Sequence, residues 1–141
     1  MKIFFDTNVY VAEALLGEVA EEMVAATQQA SWRIYASTYL LDELERVMTE
    51  QLGFSRHFAL LSRTRLIRRA NLIEPGPSRH AVATDAKDTP ILRAALAAGA
   101  DYLVTNDRHL LDLDPYEGLH IVSMTHYRQV LVNEGLLPAS S

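Results

Sequence analysis

Residues 89–107 read TPILRAALAAGADYLVTND, and this stretch decides the fold class. Thr89 suits a helix N-cap, and Pro90 suits the first helical position, where a missing N–H leaves nothing unsatisfied. The apolar run to Ala98 makes the helix, and Gly99 is its C-terminal stop. Asp101-Tyr102-Leu103-Val104-Thr105 then reads as a strand, which Asn106-Asp107 ends in turn-forming polar residues. A helix feeding a buried strand across a tight glycine connection is the repeating unit of an α/β fold.

Working outward, the same grammar recurs. Lys2-Ile3-Phe4-Phe5 is a short β-prone run ending at Asp6-Thr7-Asn8. Val9 to Leu16 is apolar and helical, apolar enough to suggest a partner surface as well as core, and Gly17 breaks it. Glu18 to Ala30 forms a second helix with Val19, Met23, Val24 and Ala26 on its inner side. Trp32 to Ala36 is a strand. Ser37 and Thr38 offer cap chemistry for a helix to about Leu52, with a stripe of Leu40, Leu41, Leu44, Val47 and Met48. Ser55 caps a helix to about Ala70 that carries Phe58, Leu61, Leu66 and Ile67. Asn71 to Glu74 is a short strand or extended piece, Pro75 to Ser78 a turn, and His80 to Ala83 fits either strand or helix. Leu119 to Val122 is the last strand and Thr125 to Asn133 the last helix. Strands alternating with helices over short connections predict a mostly parallel sheet. We expect a single domain over 1–134 and a loose tail over 135–141.

The bulk properties narrow the function. The chain has 141 residues, 49% hydrophobic and 22% charged, as in ordinary soluble domains. It has no cysteine, which excludes disulfide scaffolds, thiolate metal sites and cysteine nucleophiles and fits a reducing compartment. Asp6 ends the first apolar run too early for a secretory signal, and no stretch is apolar enough to span a membrane. The expected location is therefore the cytoplasm. The net charge of −5 argues against gripping nucleic acid by bulk electrostatics, although acids gathered around cations leave room for locally positive ground.

In parallel sheets, ligands bind beyond the carboxyl ends of the strands. Asp6 follows the first strand at once, and Asp107 follows the strand ending at Thr105. Glu43 lies in the helix entered from the second strand, just outside the Leu44 stripe. Asp88 precedes the cap at Thr89, near a helix N-terminus that tolerates negative charge. Taken singly, each acid has an ordinary explanation as a turn, cap or solvated residue. Together they share one predicted rim, where clustered carboxylates need compensating cations. Hard oxygen ligands select Mg²⁺ or Mn²⁺, and such metals assist phosphodiester hydrolysis.

At this point the residues resemble a known family. Asp6-Thr7-Asn8 after the first strand looks like the opening of PIN domains. Ser37 and Tyr39-Leu40-Leu41-Asp42-Glu43-Leu44 are similar to that family's strand-exit serine and helix glutamate. Asp85-Ala86-Lys87-Asp88-Thr89-Pro90-Ile91-Leu92, continuing through Gly99 to Asp107, strongly resembles the C-terminal half of prokaryotic PIN proteins of the toxin–antitoxin type, including the VapC-like group. The resemblance implies a three-layer α/β/α sandwich with strand order 3-2-1-4-5, a divalent metal (Mg²⁺ or Mn²⁺) and ribonuclease activity on RNA. It makes Asp6, Glu43, Asp88 and Asp107 the metal-binding catalytic quartet, with Asn8 and Thr105 as polar supports. It also implies a homodimer and a cognate antitoxin. Many relatives carry a second acid where Thr89 stands and another residue where Asn106 stands.

Other features weigh less. Arg63, Arg65, Arg68 and Arg69 form the conspicuous basic cluster, a candidate RNA contact, although a solvated helix face is the simpler reading. The histidines lack metal-ligand spacing, Trp32 and the tyrosines suit core packing better than base stacking, and Asp85 suits a turn better than an outer metal shell. Two competing functions keep the fold. A phosphoryl-transfer domain with an acidic sheet rim would need an acid pair ending the first strand and a lysine late in the rim, and here Asp6 stands alone with no lysine after Lys87. A non-catalytic PIN-fold binding module would be marked by a missing quartet acid, and all four are present.

Overall fold

The structure, a computed structural model, describes residues 1–74 and 89–139. The expected turn at 75–78, the segment 80–83, Asp85 and Asp88 lie outside the described residues. The elements in chain order are β1 (Lys2–Phe5), α1 (Thr7–Leu16), α2 (Glu18–Gln29), β2 (Arg33–Ser37), α3 (Thr38–Arg46), α4 (Arg56–Arg69), β3 (Asn71–Ile73), α5 (Thr89–Ala97), β4 (Tyr102–Val104), α6 (Arg108–Leu111), β5 (His120–Val122) and α7 (Met124–Asn133). A π-helical turn, Val47–Gln51, continues α3.

The sheet is parallel throughout, in the order β3-β2-β1-β4-β5. β1 is its centre, and Ile3, Phe4 and Phe5 are wholly buried because helices cover both faces of a parallel sheet. The chain moves outward from β1 through β2 to β3, then crosses back to β4 and continues to β5. That reversal makes the carboxyl ends of β1 and β4 the topological switch point, where adjacent connections leave in opposite directions and open a crevice.

Local chemistry sets the helix ends. The Ser37 hydroxyl accepts from Leu40 N and caps α3, and Ser55 and Ser123 do the same for α4 and α7. Beyond α5, Gly99 takes a positive φ of 67°, and the N–H groups of Gly99 and Ala100 bond back to Leu96 and Ala95. This glycine closure leads into β4 as the sequence predicts.

The expected inner side of α2 differs at one residue. Val19 is exposed, whereas Met23, Val24 and Ala26 of α2 are buried. On α4 the residues turned inward are Ala59 and Leu66, and Phe58, Leu61 and Ile67 are exposed. α4 sits outside α3 at the edge of the molecule, so it buries one narrow stripe, and the small Ala59 permits the close approach. On α1, Val9 and Tyr10 go into the core and Leu15 stays exposed. After α7, Leu136 and Leu137 still pack against the core. No helix among the described residues is long and apolar enough to cross a membrane.

Candidate active site

Asp6 stands at the first position beyond β1. Its N–H donates to Val104 O of β4 at 2.9 Å, which extends the strand pairing and locks the backbone. Its extended φ and ψ make it the N-cap of α1, with Oδ1 accepting from Thr7 N at 2.7 Å. Oδ2 accepts from the Thr105 hydroxyl at 2.7 Å and from Asn8 Nδ2 at 3.3 Å.

Thr105, wholly buried just beyond β4, links two acids. While its hydroxyl donates to Asp6, the same oxygen accepts from Asp107 N at 2.9 Å. Asp107 in turn caps α6, its Oδ1 accepting from His109 N at 2.9 Å. The rim position of Asp107 is thus tied to that of Asp6 through one buried hydroxyl.

Glu43 arrives from α3. Thr7 Oγ1 donates to its Oε1 at 2.5 Å, and Tyr39 OH donates to its Oε2 at 3.2 Å. Arg46 Nη2 lies 3.8 Å from the same carboxylate. Sequence reading assigned no role to Thr7, Tyr39 or Arg46. The spacing of Tyr39 and Arg46 from Glu43, four residues before and three after, was the available signal, because such neighbours share a helix face. Thr7 was hidden, since its partner lies on another helix.

These residues line one cleft of about 350 Å³, walled by Asp6, Thr7, Asn8, Glu43 and Asp107 on the polar side. Val11, Val47, Gln51, Ile91 and Leu110 complete it. Burial pushes the Asp6 carboxyl up to about 6, from an ordinary value of 3.8. The Thr105 and Thr7 donors oppose the rise, and the nearby charges of Glu43 and Asp107 add to it. Burial is thus the main cause of the rise, and the converging acids are a smaller one.

The donor set therefore suits a hard divalent cation in chemistry and charge. Among the described residues, however, no group of three or more acids or histidines is drawn tightly enough to hold a metal unaided. Of the four expected acids, the structure brings Asp6, Glu43 and Asp107 to one cleft, with Asn8 on its wall and Thr105 beneath. Asp88 is outside the described residues, immediately before α5, whose Ile91 lines the cleft.

The arginines of α4 do not line this cleft. Arg63 pairs with Asp42 and Glu45 of α3. Arg69 makes two 2.8 Å hydrogen bonds to Glu13 of α1, which Arg65 also approaches at 3.5 Å. Arg68 is exposed.

The fold and this crevice define a class: a parallel α/β domain with carboxylates gathered at the switch point of its sheet. A family model described as the PIN domain matches residues 2–109. The chain belongs to the PIN domain family. Among solved structures it is similar to the crystal structure of VapBC2 from Rickettsia felis bound to a DNA fragment from their promoter. The TM-score is 0.66 at 15% identity, over 87% of this chain and 98% of that one. At that identity the likeness concerns the fold. No curated protein matches the chain.

Proposed function

We propose that this protein is an endoribonuclease that depends on Mg²⁺ or Mn²⁺ and acts as the toxin of a toxin–antitoxin pair. One observation carries the reading: Asp6, Glu43 and Asp107, from three separate elements, line a single cleft at the switch point of the sheet. PIN family membership supports a nuclease. The VapC-like motifs and the fold shared with VapBC2 support the toxin role and a cognate antitoxin. Homodimerisation and a cytoplasmic location belong to the same proposal.

In this reading Asp6, Glu43 and Asp107, joined by Asp88, hold the cation. When bound, the cation offsets charge on the phosphoryl oxygens and makes the attacking water more acidic. The chain's own residues do the rest. Thr105 and Thr7 N–H orient the Asp6 carboxylate, and Thr105 sets Asp107 beside it. Thr7 and Tyr39 hold both oxygens of Glu43, so that α3 presents a fixed acceptor to the cleft. Asn8 closes the polar wall beside Asp6. Buried Ile91 and Leu110 add apolar lining to the cleft.

The test is cleavage of single-stranded RNA with Mg²⁺ or Mn²⁺, compared with EDTA and with Asp6→Asn. Both treatments are expected to abolish cleavage, and activity that survives both would sink the mechanism. The second reading is a non-catalytic PIN module, and what favours it is the lack of a closed three-ligand group among the described residues. Calorimetric titration decides between them: measurable divalent-ion binding supports the enzyme, and none supports the scaffold.

A further inference from the structure

α3 does not end where its α-helical hydrogen bonds end. From Val47 to Gln51 the chain widens into a π turn, and Leu52 N–H donates to Val47 O, five residues back, at 3.1 Å. The widening has a consequence for side-chain direction. In a continuous α-helix, Gln51, eight residues after Glu43, would lie about 80° round from it. A turn closed five residues back lags behind that rotation and swings Gln51 back toward the face of Glu43 and Val47. Glu43, Val47 and Gln51 accordingly line the same cleft.

The cleft has two unlike sets of lining residues. One is made of carboxylates, which are acceptors only when ionised. The other is apolar, with Ile91 and Leu110 buried and Val11 and Val47 partly exposed. Gln51 follows Val47 by four residues on the same helical segment and lines the same cleft. Asn8, the other carboxamide of the cleft, is engaged with Asp6. The Gln51 side chain is exposed and has no hydrogen-bond partner among the described residues. Among the described residues, then, nothing engages its donor or its acceptor, and it lines the cleft beside apolar walls. The cleft as a whole, acids included, measures about 350 Å³ and is open to solvent, so a flat group can enter it from one side.

A single-stranded nucleic acid presents what this lining lacks: a flat apolar face and an edge of paired donors and acceptors. We propose that the cleft holds one nucleobase of the substrate against Val11 and Val47, with the Gln51 carboxamide reading its edge. Gln51 then sets the base preference beside the acids. A carboxamide suits this role because it pairs bidentately with an edge that alternates donor and acceptor, as adenine does. The inference rests on the nuclease reading for its substrate class and adds to it a determinant of specificity.

The experiment uses the full chain in two arms. In the first, fluorescence anisotropy follows Asp6→Asn protein binding short single-stranded RNAs of adenosine, cytidine or uridine at fixed salt, with and without Gln51→Ala. The best and worst bases are expected to differ by roughly tenfold or more with Gln51 present. Gln51→Ala should compress that ratio to about twofold, and Gln51→Glu, which keeps acceptors and loses the donor, should change which base is preferred. A merely structural part for Gln51 would weaken all three RNAs alike, and that result would overturn the proposal. Equal binding of all three RNAs with Gln51 intact would overturn it too. In the second arm, cleavage sites of the wild-type and Gln51→Ala proteins are mapped on one mixed-sequence RNA. Metal-dependent cleavage with the same base preference in both would overturn the Gln51 proposal and leave the nuclease standing. Base-dependent binding that Gln51→Ala removes, with no cleavage by wild type, would uphold the subsite and overturn the nuclease.

Discussion

Asp6 is held by two hydroxyl or amide donors and one backbone N–H, yet burial and the neighbouring acids push its carboxyl up to about 6. Its value in the folded state lies above the unfolded 3.8, so the folded state takes up the proton more readily. The corresponding stability is fully present below about pH 4 and is lost as pH rises through about 6. The difference amounts to about 3 kcal/mol. In EDTA, thermal unfolding of the wild type is expected at lower temperature at pH 7.5 than at pH 5. Asp6→Asn should flatten that dependence and unfold at higher temperature than wild type at pH 7.5; a less stable variant there would contradict the account. Thr7 gives a second residue-level expectation. Thr7→Val removes the donor to Glu43 without changing volume, and divalent-ion affinity by calorimetry should fall roughly 10- to 100-fold. Thr7→Ser should restore most of it. Equal affinity in all three proteins would show that Glu43 needs no such support.

Among the elements, α4 is joined to α1 and α3 by ion pairs as well as by buried Ala59 and Leu66. Glu13 is buried on α1 and grips Arg69 through both carboxylate oxygens, and Arg69 also lies over the Tyr10 ring at 5.7 Å. Arg69→Ala would leave Glu13 buried without its main partner, a change that typically costs about 3–5 kcal/mol. Arg63→Ala, on a pair whose Asp42 partner is mostly exposed, should cost less than about 1 kcal/mol. Urea unfolding midpoints check the contrast, and equal effects would refute it. The face of α4 was hard to read for a physical reason. Phe58, Leu61 and Ile67 are larger and more hydrophobic than Ala59, so they dominate any apolar pattern, although a close helix contact favours the small residue. Strand β3 was equally faint: it is three residues long at the sheet edge, and Leu72 is half exposed. The strands around the site were clear by contrast, because β1 and β4 are buried apolar runs that stop abruptly at polar residues.

At the scale of the whole molecule, the strand order places the acids. Reversal between β1 and β4 puts Asp6 and Asp107 on adjacent strand ends, and the α3 connection brings Glu43 over them. A cation held there by Asp6, Glu43 and Asp107 would tie three elements together and is expected to stabilise the entire domain by mass action. At a concentration about 100-fold above Kd that amounts to about 2.7 kcal/mol. Differential scanning calorimetry with added Mg²⁺ or Mn²⁺ should show the Tm rising by several degrees for wild type and much less for Glu43→Gln. Identical shifts in the two proteins would place the ion elsewhere.

The order of elements, the parallel sheet and the acids at strand ends were determined by the chain itself. Each of these depends on near neighbours: an apolar run, a glycine with positive φ, a polar residue that stops a strand. Tertiary structure alone decided that Thr105 joins Asp6 to Asp107, that Thr7 holds Glu43 and that Glu13 meets Arg69. It also decided that a π turn aims Gln51 into the cleft. These contacts depend on how whole elements pack. Thr7 and Glu43 stand thirty-six positions apart, and that separation leaves no local trace of a hydrogen bond that only the docking of α1 on α3 creates.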